Sequence, residues 1–110
     1  MKPTLKFDET LVDAILAEDK TVTIRYNDEK NINAGDVIFA TTPDNMTFAI
    51  LQVMFITEKH IGDIKKLDLK GHAANDYQEL FEILDKYYNG LTFDSKVKIY
   101  EYQLIASYNQ

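Results

Sequence analysis

The sequence predicts an α+β fold, a small curled sheet or barrel flanked by two or three helices, with residues 1–110 forming a single domain. Three observations carry that prediction. Near the start, apolar residues recur at helical spacing and give way at once to a segment that alternates with a period of two. The middle of the chain holds one long β-branched and aromatic run, and the final third repeats the helical set followed by a closing alternating segment. No internal repeat, low-complexity tract or Pro/Gly/Ser-rich linker divides the chain.

Taken in order, Leu11, Val12, Ile15 and Leu16 share one helical face, and Asp8 or Thr10 can cap its start, which places a helix over about residues 9–18. Strand 20–26 follows: apolar Val22, Ile24 and Tyr26 alternate with Thr21, Thr23 and Arg25, so one face is core and the other is chemistry or solvent. Asn27 to Asn33 reads as a loop, and Ala34-Gly35-Asp36 as a tight turn into a strand over Val37 to Ala40. Thr42-Pro43-Asp44-Asn45 turns the chain again into Phe48–Ile56, whose apolar character predicts the central strand. Between 57 and 75 the pattern predicts only a helical turn around Ile61 to Leu67. From Asp76, the spacing of Tyr77, Leu80, Phe81, Leu84, Tyr87 and Tyr88 predicts a second helix ended by Asn89-Gly90, and Phe93 to Ile105 reads as the last strand.

Composition narrows the function classes. The chain has 110 residues, with 18 acids against 12 bases and a net charge of −6, and it contains neither cysteine nor tryptophan. Without cysteine there are no disulfides, thiol nucleophiles, thiolate zinc sites or zinc-deaminase signature, and a cytoplasmic location is allowed. The acidic balance argues against gripping long nucleic acid, since each phosphate contact calls for a cation, and Arg25 is the only arginine. A small or uncharged ligand suits such a protein better. No signal-peptide pattern is read at Met1-Lys2-Pro3-Thr4, and no apolar run approaches the ~20 residues of a membrane span. Ser95 and Ser107 lack a nucleophile elbow and no Gly-rich phosphate loop is present; His60 and His72 have no matching carboxylates, so they read as solvated loop residues and no metal or cofactor is expected.

The informative stretch is Leu16 to Arg25. Lys20 falls where a helix releases a strand, a junction that can desolvate a lysine, lower its pKa and make it a base; a threonine hydroxyl in reach, Thr23, could then act as nucleophile. On spacing alone the bland reading is favoured: a surface lysine beside an exposed threonine and a paired arginine.

The order of features, an amphipathic helix, D-K-T-V-T-I-R, N-A-G-D-V-I, a long apolar strand, then K-G-H-A before a last helix and strand, resembles the ASCH domain of the PUA-like superfamily over nearly the whole chain. Of the ASCH pattern G-x-K-x-x-E-x-R, this sequence keeps Lys20 and Arg25 but has Glu18 at the glycine and Thr23 at the glutamate position. Threonine there, within K-T-V-T-I-R, resembles the small bacterial N(4)-acetylcytidine amidohydrolases, as do Gly35-Asp36-Val37-Ile38 and His72-Ala73. The resemblance implies Lys20 as proton acceptor, Thr23 as nucleophile and a carboxylate as proton donor. At the donor position stands Asp76, one methylene shorter than the family glutamate; Glu79 is the next candidate, and Asp76-Tyr77-Gln78-Glu79 also reads as a helix capping box.

The implied activity is a metal-free amidohydrolase cleaving N(4)-acetylcytidine, or a related acylated cytosine nucleoside, to cytidine and acetate. A variant in which Lys20 activates water and Thr23 only positions substrate stays open. Arg25 is either an oxyanion or ribose contact or, the favoured reading, a structural partner for a carboxylate. Tyr26 is the best candidate for lining a substrate pocket, whereas Tyr77, Tyr87 and Tyr88 read as packing. The expected partner is a small nucleoside, with no membrane. The alternative is a non-catalytic ASCH/PUA-like module binding RNA or a nucleotide; it would call for a lysine-rich face, but only Lys65-Lys66 and Lys70 lie close together.

Overall fold

A computed structural model describes residues 3–26, 30–64, 82, 84 and 88–108. Its elements are β1 (Thr4–Lys6), a 3-10 turn (Glu9–Leu11), α1 (Val12–Leu16), β2 (Val22–Tyr26), β3 (Val37–Thr41), β4 (Thr47–His60), a second 3-10 turn (Ile61–Asp63) and β5 (Lys96–Ser107). The strands form one mixed sheet of order β1-β3-β4-β5-β2. β1 runs parallel to β3, and every other pairing is antiparallel.

The four expected strands are present, and the apolar run 48–56 lies in the middle of the sheet as its composition predicts. β1 is a correction: Thr-Leu-Lys is too short to show an alternation. The helices are a second correction. Among the described residues there is one bounded α-helix rather than two or three, and Ile61–Asp63 makes only a 3-10 turn. The segment read as a second helix from Asp76 lies outside the described residues except at Glu82 and Leu84, where the backbone is helical, and at Tyr88, whose N–H donates to the Leu84 carbonyl at 2.9 Å. No helix among the described residues is long and apolar enough to cross a membrane.

The sheet curls. Pairing shifts register between Ala40 and Thr41, between Ile50 and Leu51, and between Val53 and Phe55. The last two leave Ile105 and Met54 as extra residues, both exposed. Each such bulge bends its strand and raises the local twist. Curling brings the two edge strands together: the Arg25 guanidinium on β2 donates to the Lys6 carbonyl on β1 at 2.8 Å, although three strands separate them in the sheet. Gly35, at φ +94°, makes the turn into β3; its N–H donates to the Val53 carbonyl at 2.7 Å and extends the β3–β4 ladder.

Two apolar clusters fill the curl. The first joins Leu5, Phe7, Ile15, Ile38, Phe48, Leu51, Val53, Tyr100 and Tyr102, with Leu11, Val12 and Leu16 of the helical region packed on it. The second joins Val22, Ile24, Ile61, Ile64, Leu84, Val97 and Ile99, with Tyr26, Tyr88 and Leu91 against it.

Candidate active site

A cavity of about 420 Å³ opens at the seam between the two clusters. Phe7 and Leu11 come to its wall from the first cluster and Ile24, Leu84 and Tyr88 from the second; Lys6, Asp8, Lys20, Thr23, Arg25 and Pro43 supply the rest. A volume of this size is that of a small-molecule site.

Local backbone structure sets Lys20. At the end of α1 the Glu18 N–H donates to the Ile15 carbonyl at 3.1 Å and the Asp19 N–H to the Ala14 carbonyl at 2.9 Å. These are the two bonds of a Schellman helix stop, whose left-handed residue is usually glycine. Here that residue is Glu18, at φ +62°. The glycine of the ASCH pattern therefore has a backbone reason, and Glu18 keeps the geometry at the expense of about 1 kcal/mol of strain. The Lys20 N–H also reaches the Ala14 carbonyl at 3.1 Å, so the stop turns the chain and aims Lys20 inward.

The Lys20 side chain is only 5% exposed, and its Nζ donates to the Val22 carbonyl at 2.7 Å. Burial, and secondarily the Arg25 charge, lower its pKa from 10.5 to about 8. Thr23 is equally buried. The alternation of β2 thus separates two faces, but neither is open water at Thr23, because β1 and the residues after it close over that side. The Thr23 Oγ1 accepts from the Arg25 Nε–H at 3.1 Å. The guanidinium stacks on the Phe7 ring, 4.9 Å from its centroid. Tyr102, packed edge-on against Phe7, has its phenol pushed well above the ordinary range by burial, with Arg25 opposing that rise.

The structure thus gathers Lys20, Thr23 and Arg25 on one cavity wall. Asp76 and Glu79 lie outside the described residues, as does His72. Tyr26 does not contribute to the wall: it shares the core-facing side of β2 with Val22 and Ile24 and packs edge-on against Tyr88, with ring centroids 5.7 Å apart. Tyr88, read from its spacing as packing, packs against Tyr26 and, among the described residues, is the tyrosine that also lines the cavity. Arg25 contacts a hydroxyl, a carbonyl and a ring among the described residues. Lys6, Phe7 and Asp8 carry no cavity signal in the sequence, because Lys6 ends a strand too short to recognise and the other two follow it; a capping aspartate at Asp8 was the one local signal there, and its Oδ1 accepts from the Thr10 N–H at 2.9 Å.

The curled sheet has an ASCH-like fold. The chain superposes on an ASCH domain from Lactobacillus crispatus JV V101 with a TM-score of 0.74 at 10% identity, covering 93% of this chain and 79% of that one. It is similar to protein EF3133 of Enterococcus faecalis V583, described with the DUF984 family, at a TM-score of 0.75 and 12% identity over 100% of this chain and 84% of that one. A serine-to-alanine mutant of the Zymomonas mobilis ASCH protein gives 0.68 at 14% identity, over 96% and 72% of the two chains. At these identities the fold is what is shared. No family model matches the sequence, and no curated protein does.

Proposed function

We propose that the protein is an amidohydrolase acting on N(4)-acetylcytidine or a related N-acylated cytosine nucleoside, releasing cytidine and acetate. One observation carries the reading: a buried lysine with a pKa lowered to about 8 shares a small-molecule cavity with a buried threonine whose hydroxyl is held by an arginine. At pH 7 roughly one Lys20 in ten is neutral, enough for a general base. Neutral Lys20 takes the Thr23 proton as Thr23 Oγ1 attacks the acetyl carbonyl; a carboxylic acid protonates the departing exocyclic nitrogen, and water then frees acetate from the threonine ester. The resemblance gives the donor role to Asp76, with Glu79 next. Tyr88 offers aromatic surface for the cytosine ring, and the acidic chain favours a free nucleoside over an RNA strand.

The test is turnover of N(4)-acetylcytidine followed by chromatography. Wild type should release cytidine at a rate that rises with pH and levels above about 8, as Lys20 loses its proton. Lys20→Ala and Thr23→Ala should each lose at least about a hundredfold, and Asp76→Asn should be similarly impaired. An unaffected Asp76→Asn beside an inactive Glu79→Gln would move the donor role to Glu79. A folded wild type without turnover sinks the enzyme reading. The cationic side chains Lys6, Lys20 and Arg25 around the cavity favour, as a second reading, a module that binds a nucleotide without chemistry; micromolar binding of cytidine monophosphate with no hydrolysis of the acetylated nucleoside would select it.

A further inference from the structure

Arg25 touches more of the fold than a substrate contact needs to. Its Nε–H goes to the Thr23 hydroxyl, its terminal nitrogen to the Lys6 carbonyl on the opposite edge strand, and its plane to the Phe7 ring. We propose that Arg25 is a positioning residue that fixes the Thr23 hydroxyl in one orientation from a guanidinium that also ties the two edges of the sheet together, so that the nucleophile is set only in the closed half-barrel. The inference rests on Thr23 as nucleophile and deepens that reading, since the arginine acts through Thr23 rather than on the substrate.

The geometry of a hydroxyl oxygen makes the argument. It has one proton and two lone pairs. With one lone pair held by Arg25 Nε–H, the proton and the second lone pair are left for a base and for the acyl carbon, and among the described residues that proton has no other partner. As the proton departs, negative charge develops beside a guanidinium that never loses its own proton. Because the Lys6 bond and the Phe7 ring hold the guanidinium, Thr23 is oriented by β1 although it sits on β2. Sequence spacing shows none of this, because Lys6 and Arg25 meet only through the curl.

The same charge faces Lys20. The ionisable groups of the described wall are Lys6 on β1, Asp8 after it, Lys20 and Arg25, with the Tyr88 phenol opposite. Of these, Arg25 acts on Lys20 by repulsion, in addition to burial. Removing its charge therefore raises the Lys20 titration point, whereas exchange for lysine keeps the charge and loses only the fixed planar fork.

The experiment measures three-bond couplings from the Thr23 Cγ2 methyl to the backbone nitrogen and carbonyl in wild type, Arg25→Lys and Arg25→Gln, with the Lys20 side-chain resonance followed against pH. Wild type should show one Thr23 rotamer and both variants averaged couplings. The Lys20 midpoint should move upward in Arg25→Gln and stay in Arg25→Lys. With N(4)-acetylcytidine, both variants should lose roughly 10²–10³-fold in kcat, the scale of one lost preorganised donor, while KM changes little. A single unchanged Thr23 rotamer in folded variants overturns the proposal, as does a raised KM with unchanged kcat. If Arg25→Gln does not fold, Arg25→Lys decides. The couplings require no turnover, so a wild type without amidase activity sinks the amidohydrolase reading alone.

Discussion

The two hydrophobic clusters are built from one sheet yet differ in what they leave open. The first is sealed: Phe7 packs edge-on against both Phe48 and Tyr102, and α1 covers it. The Thr41 and Tyr102 hydroxyls are buried at this end and have no hydrogen-bond partner among the described residues. The second cluster borders a cavity that lies between it and Phe7 and is lined by Lys20 and Thr23. Among the described residues the two edge strands meet through the Arg25–Lys6 hydrogen bond, beside the cavity and away from the packed interior of the first cluster. Lys20 sits at that seam with its charged form disfavoured by burial.

The sharpest way to break the contrast is Phe7→Ala. It removes a nearly fully buried ring from the sealed cluster and the surface beneath Arg25, and should lower stability by about 3–5 kcal/mol in urea unfolding, with the cavity activity lost alongside. A loss below about 1 kcal/mol would show that the seam does not depend on the sealed end.

Next in size is the buried lysine. Its folded pKa lies below its unfolded value, so between about 8 and 10.5 the unfolded chain binds more protons and stability rises with pH. Up to pH 8 the full penalty is present, on the order of 3 kcal/mol. Lys20→Met should therefore be more stable than wild type at pH 7, with the difference shrinking as pH rises from 8 toward 10. Both chains keep Tyr102, so its titration cancels in the comparison. A difference that stays flat over that range would mean that Lys20 is solvated.

The smallest effect concerns the helix stop that aims Lys20. Glu18→Gly should relieve the left-handed strain and raise thermal stability by about 1 kcal/mol, with turnover unchanged. A destabilised Glu18→Gly would show that the glutamate side chain makes a contact worth more than the strain.

Legibility followed the range of the interactions. The helix at 9–18, the alternation of 20–26, the apolar run 48–56 and the last strand were readable because each depends on a local period, and the structure places them as α1 with its 3-10 lead, β2, β4 and β5. The motif Lys20-Thr21-Val22-Thr23-Ile24-Arg25 was readable as a string of residue types, and Lys20 and Thr23 do share a cavity wall. Tyr88 packs as its spacing indicates and also lines the cavity, while Tyr26 packs without lining it, because spacing shows which side of an element a ring occupies and not which side the neighbouring element leaves open. Glu18 was opaque for another reason: a left-handed residue has no side-chain signature when it is not glycine.

By itself the sequence determined the first helix and the four longer strands, the absence of thiol chemistry, the acidic balance and the presence of a Lys, a Thr and a lone Arg within one short segment. Only the tertiary structure decided that Lys20 is buried, that Thr23 is covered, and that Arg25 reaches β1. The physical reason is that burial and pKa belong to the environment assembled around a group. Here that environment comes from β1, β2, Leu84 and Tyr88, which are distant in the chain and meet only when the sheet curls on itself.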